Sequence, residues 1–196
     1  MSSSGFLGGK EKSDSRRTIV QKTHIPTVLR HEHSSLKQYQ ATNASFPTVL
    51  LLRNPANAII SYYKFMVRKS HTEQIPDSQF KTKKFRTFVE KAVSYWMELA
   101  VNSLLWTEAP LHVLYYERLV EEPLKELRSV LAFLRVPEDE GRMACIAEHL
   151  EGKFKRKGNK NIDPYTVQEK TSMAAAARAV NRTLQLLGYA PLPSYN

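Results

Sequence analysis

"TVLLLRNPANAIISYYKF", residues 48–65, is the stretch that decides the fold. Thr48 to Leu52 run without a charged or amide side chain, as a strand buried on both faces does. Asn54-Pro55 then reads as a helix start. Asn caps the first turn, and Pro takes the first helical position, where its missing N–H costs nothing. Ala58, Ile59, Tyr62 and Met66 fall on one predicted helical face. A core strand has no need of an arginine at its end, yet Arg53 stands there, and Ser61 adds a hydroxyl two turns into the helix. An arginine in front of a helix N-terminus is a ready anion site.

Working outward, residues 1–17 are rich in Ser, Gly and charge and are expected to be flexible. "RTIVQKTH" (17–24) reads as a short strand, and 25–45 as a polar loop with at most one helical turn. A basic loop is expected over 70–84 and a long helix over 85–106, with Phe88, Ala92, Tyr95, Trp96, Leu99 and Val101 on its apolar side. "LHVLYYE" (111–117) is the third predicted strand. Pro123 opens a helix that stops before Pro137, and 138–150 reads as another. Residues 151–166 read as a basic loop, and a last helix over 167–187 ends at Gly188. Strands alternating with helices predict an α/β layered fold with a mostly parallel sheet. Ligands bind such sheets at the carboxyl ends of the strands.

The chain has 196 residues and 42% hydrophobic content, which suits one core. Its 29 Lys+Arg against 19 Asp+Glu give a net charge of +10. Such an excess favours anionic partners: nucleotide phosphates, anionic glycan, nucleic acid or a membrane surface. The single cysteine, Cys145, excludes an internal disulfide or a cysteine zinc site. No apolar run is long enough to span a membrane, and the first 17 residues do not read as a signal peptide. Two glycosylation triplets, at Asn43 and Asn181, matter only on a secretory route.

The predicted strand ends carry Lys22-Thr23-His24, Arg53-Asn54-Pro55 and Tyr115-Tyr116-Glu117, and Lys155-Arg156-Lys157-Gly158 follows late in the chain. Each has a plain structural reading. His24 alone is a solvated loop histidine, Arg53 has Glu117 as an obvious partner, Ser61 suits close helix packing, and the Arg-Lys-Gly stretch suits a charged turn. Their convergence on one edge of the sheet is what favours a site.

"VQKTHIP" resembles the Lys-Thr-His-Leu-Pro stretch of sulfotransferases that use 3′-phosphoadenosine 5′-phosphosulfate. "LLRNPANAIISYYKF" is similar to their 3′-phosphate motif, in which Ser follows Arg by eight residues. "VLYYERLVEEPLKELRSVLAFL" resembles their Tyr-Glu-Asp-Leu segment, with Arg118 in place of Asp, and "FKRKG" their late Arg-Lys-Gly loop. The likeness runs over about residues 5–190, in matching order. "FKRKGNKNIDPYT" looks more like the WSC-domain-containing, sialate O-sulfotransferase-like branch than the cytosolic one, whose Gly-Asp-Trp continuation is absent. The resemblance implies a P-loop-NTPase-like three-layer fold. It implies that Arg53 and Ser61, with Arg156, Lys157 and Gly158, hold the 3′-phosphate, that His24 is the base and that Lys22 stabilises charge at the sulfuryl group. It also implies a carbohydrate acceptor, sialylated glycan among the candidates, no metal, and a Golgi setting for full-length relatives.

One part of the family pattern has no counterpart. A first strand and a phosphate loop of the kind Pro-Arg/Lys-Ser-Gly-Thr-Thr precede the Lys-Thr-His strand in the family. Here "GFLGGK" (5–10) lacks both the spacing of a P-loop and a strand before it. The expectation is therefore a partial sulfotransferase domain over 18–190, with its first strand and phosphate loop missing. Since that strand is central in the family's sheet, its neighbours are expected as exposed edges. The 196 residues alone are expected to be inactive, because several charge-assisted hydrogen bonds, each about 1.5–3 kcal/mol, belong to that loop. The alternative is a non-catalytic module for anionic glycan or nucleotide. Nucleic-acid binding is the weakest reading, since no aromatic stacking pattern accompanies the lysines.

Overall fold

The computed structural model describes residues 19, 20, 22, 46–67, 75–150 and 162–194. Strand β1 (Thr48–Leu52) runs into helix α1 (Pro55–Val67). A 3-10 turn (Asp77–Lys81) leads to the long α2 (Lys83–Leu105), then to β2 (Leu111–Tyr115). There follow α3 (Tyr116–Glu121), α4 (Pro123–Phe133), α5 (Glu140–Glu148) and α6 (Val167–Leu186). β1 and β2 pair in parallel, from Thr48 opposite Leu111 to Leu52 opposite Tyr115. The strands at 48–52 and 111–115 thus lie directly beside each other.

The pleat divides the sheet into two faces. Leu50, Leu52, Val113 and Tyr115 join the core built by α2 and α6, with Val89, Trp96, Ala100, Val180 and Leu184. On the opposite face His112 stacks on Phe133 of α4, the rings 5.3 Å apart. Leu51, on that same face, is 49% exposed. Helices therefore lie on both sides of an α/β sheet, with β1 covered on one face only among the described residues. No described helix is long and apolar enough to cross a membrane.

Local chemistry explains the element ends. The Thr82 side chain accepts from the Phe85 N–H (3.2 Å) and starts α2 two residues before the predicted position. Thr166 and Glu169 close a reciprocal capping box at the start of α6. Gly188, at φ 78°, ends α6: Tyr189 N–H bonds Leu184 C=O (2.9 Å) and Gly188 N–H bonds Gln185 C=O (3.1 Å). Arg135 makes the same stop after α4 at φ 54° without being glycine, through Val136 N–H to Leu131 C=O (2.9 Å).

Several expectations are corrected. Tyr63, only 1% exposed, takes the core side of α1 with Pro55 and Ile59, whereas Tyr62 and Met66 are exposed. The cause is an aromatic cluster: the Tyr63 ring lies 4.8 Å from Phe85, 5.1 Å from Phe88 and 5.8 Å from Phe80. Part of the predicted 70–84 loop is the 3-10 turn that buries Phe80 in this cluster. Likewise the buried side of α2 centres on Phe85, Val89 and Val93, leaving Tyr95 exposed. Of the predicted 17–24 strand, Ile19, Val20 and Lys22 are described and none is in a strand. The two apolar residues are exposed and pair with no strand among the described residues. Residues 1–17, the 25–45 loop and the 151–161 part of the late basic loop lie outside the described residues.

Candidate anion site at the strand ends

The carboxyl ends of β1 and β2 meet because the strands pair in parallel, which sets Leu52 opposite Tyr115. The next residues, Arg53-Asn54 and Tyr116-Glu117, therefore face each other. The Arg53 guanidinium lies over the Tyr116 ring, 4.1 Å from its centroid. Stacking of this kind leaves the in-plane N–H groups clear of the ring, and a planar fork of such donors suits a bidentate oxyanion. Arg53 Nε is enclosed and has no hydrogen-bond partner. A buried unsatisfied donor costs about 1–3 kcal/mol, which an acceptor would recover.

The obvious partner does not take it. Glu117 Oε1 accepts instead from the Asn54 N–H (3.0 Å), and Glu117 Oε2 is buried without a partner. No ion pair joins Arg53 to Glu117. The start of α1 is less open than its sequence suggests. Asn54 N–H goes to Glu117, Pro55 has none, Ala56 N–H goes to Asn54 Oδ1 (2.9 Å) and Ala58 N–H to Asn54 C=O (2.9 Å). Asn57 N–H is the first-turn donor left without a partner among the described residues. The helix end thus contributes mainly its dipole, and side chains must supply the hydrogen bonds. No acidic residue in the first turn opposes that dipole.

Ser61 is half-buried on α1. Seven helical residues separate it from Asn54, so at 100° per residue the two share a face. Arg53 precedes the first turn of α1, and Ser61 stands two turns along it, on the side of Asn54. Lys22 is exposed, outside any element, and makes no hydrogen bond or ion pair to another described residue. His24, Arg156, Lys157 and Gly158 lie outside the described residues.

The return of the late basic loop is nonetheless fixed. The Tyr165 hydroxyl donates to Ala56 C=O (2.6 Å), in the first turn of α1. Burial pushes that phenol far above the ordinary tyrosine range, so it stays a donor. Arg86 of α2 bonds the Pro164 C=O (2.7 Å), the Phe80 C=O and the Glu169 carboxylate together. Gly158 is seven residues from Tyr165, a reach of at most about 25 Å. The sequence had given Tyr165 and Arg86 no role, since both act through contacts distant along the chain.

The family model for the sulfotransferase domain matches residues 7–182. The chain belongs to the sulfotransferase domain family. It is similar to a WSCD family member of Drosophila pseudoobscura pseudoobscura, 30% identical over 138 residues, 67% of this chain and 43% of the relative. A WSCD family member of Drosophila melanogaster is 30% identical over 135 residues, with the same shares, and one of Aedes aegypti 28% identical over 141 residues, 66% of this chain and 44% of the relative. The chain thus spans less than half the length of the curated relatives it matches. Within this sulfotransferase family the general donor is 3′-phosphoadenosine 5′-phosphosulfate, and the similarity points to the WSCD branch.

Proposed function

We propose that these residues form the 3′-phosphate side of a sulfotransferase site, whose whole protein moves a sulfuryl group to a carbohydrate hydroxyl, with sialylated glycan among the candidate acceptors. The observation that carries it is Arg53. Its guanidinium is stacked on Tyr116, denied to Glu117, and its enclosed Nε lacks an acceptor. That donor set fits a phosphate: Arg53 and Ser61 would hold it, with Arg156, Lys157 and Gly158 closing over it from the loop that Tyr165 ties back to α1. When bound, the donor supplies the activated sulfuryl group. His24 would take the acceptor's hydroxyl proton, a task suited to imidazole near neutral pH, and Lys22 would offset charge at the sulfuryl oxygens. A Golgi setting for the whole protein suits a glycan acceptor.

No Pro-Arg/Lys-Ser-Gly-Thr-Thr stretch occurs in the 196 residues. Alignment of the 5′-phosphosulfate, worth more than a base's ~10²–10⁴-fold, would come from such a loop, so these residues alone are proposed to bind without turning over. The test is calorimetric titration of adenosine 3′,5′-bisphosphate at low salt. Loss of one bidentate charged contact predicts about 10- to 100-fold weaker binding for Arg53→Ala. Equal affinity in the two proteins would exclude the assignment of Arg53.

A further inference from the structure

A single peptide unit joins Arg53 to Asn54, and both of its polar groups are held by side chains from elsewhere. The Trp96 indole N–H of α2 donates to the Arg53 C=O (3.0 Å), while the Asn54 N–H donates to Glu117 Oε1 (3.0 Å). In a planar trans unit these two groups point in opposite directions, so the unit is gripped from both sides and cannot rotate without losing one of them. We infer that Trp96 and Glu117 are positioning residues for the anion site, acting through Arg53; this rests on the proposed role of Arg53.

The geometry supports more than packing. Rotation of this unit changes the backbone angles flanking Arg53 and Asn54, and so swings the guanidinium away from Tyr116 and the cap away from α1. Glu117 follows Tyr116 directly, so one short segment carries both the ring under the guanidinium and the acceptor for the next N–H. Trp96 is buried with α2 in the core, which ties the grip to the packed interior. Trp96 also occupies the carbonyl that would take the first helical bond from Asn57 N–H, the donor left free in that turn. What the grip needs from Glu117 is an acceptor oxygen for the Asn54 N–H, which the neutral amide of Gln also supplies.

The test compares affinities for adenosine 3′,5′-bisphosphate and adenosine 5′-monophosphate, whose ratio isolates the 3′-phosphate contact, with folding followed by circular dichroism. W96F keeps an aromatic ring but no donor, E117A removes the acceptor and E117Q keeps it. The ratio should fall about 5-fold in W96F and in E117A with monophosphate affinity unchanged, and stay within about 2-fold of wild type in E117Q. If E117A fails to fold, W96F and E117Q decide the matter by the same contrast. Adding W96F to Arg53→Ala should change the ratio no further, as expected of a residue acting through Arg53. A folded W96F that keeps the full wild-type ratio would overturn the inference while leaving Arg53 in place. A wild-type protein without any 3′-phosphate preference would overturn the Arg53 reading, and the inference with it.

Discussion

Truncating Arg86 to alanine should unfold the return of the basic loop as well as destabilise the domain. Its guanidinium joins three separate segments: the 3-10 turn through Phe80 C=O, the loop exit through Pro164 C=O and α6 through Glu169. It also lies 4.8 Å from the Phe85 ring centroid. The side chains of Arg86 and Glu169 are 29% and 14% exposed, so solvent screens the pair only in part. Two hydrogen bonds from a charged donor, discounted to about 1 kcal/mol each, and an ion pair of about 1–2 kcal/mol total about 3–4 kcal/mol. Glu169 keeps its bond from the Thr166 N–H (2.8 Å), which limits the penalty of leaving it unpaired. At about 2–4 °C per kcal/mol for a domain of this size, Tm should fall by roughly 6–16 °C. Urea denaturation followed by circular dichroism measures the stability, and Arg86→Lys, which keeps the charge but not the fork, should recover less than half of the loss. A change below about 1 kcal/mol for Arg86→Ala would refute the picture of Arg86 as the joint between these segments.

Two further outcomes follow from the same structure. Arg135→Gly should stabilise the domain by about 0.5–1 kcal/mol, because the left-handed stop after α4 penalises any side chain; thermal unfolding checks it, and a lower Tm would count against the strain. Burial holds His112 below the ordinary histidine range, with Glu126 opposing more weakly, and its enclosed Nε2 has no hydrogen-bond partner. Between its folded pKa and about 6.5 the unfolded chain binds more protons, so stability should fall on acidification below about pH 6.5 and level off below the folded value. His112→Gln should flatten that part of the stability profile, and an unchanged slope would assign it to other groups.

The parts of the fold that were legible in the sequence are those with local causes. Thr48 to Leu52 stands between Pro47 and Arg53, Pro55 marks the start of α1, and Gly188 marks the end of α6. Phase was harder to read. The doublets Ile59-Ile60 and Tyr62-Tyr63 let two faces of α1 look equally apolar, and only the Phe80, Phe85 and Phe88 rings select Tyr63. β2 passes into α3 without a breaker, so the strand looked two residues longer than it is. In the site, Arg53 and Ser61 were singled out by the strand-to-helix junction and by the family resemblance, and their role is the proposal made above. The grip of Trp96 and Glu117 was not, since it joins residues 43 and 63 positions apart. Nor was the direct pairing of β1 with β2, which is a matter of tertiary choice between edges.

The central claim is that Arg53 and Ser61 form one half of a nucleotide 3′-phosphate site. A crystal structure of the chain with adenosine 3′,5′-bisphosphate tests it most directly. The account predicts the 3′-phosphate in hydrogen-bond contact with the Arg53 guanidinium and Ser61 Oγ, at the start of α1, with the guanidinium still stacked on Tyr116. A nucleotide bound elsewhere on the basic surface, or turned so that its 5′-phosphate alone meets Arg53, would contradict it.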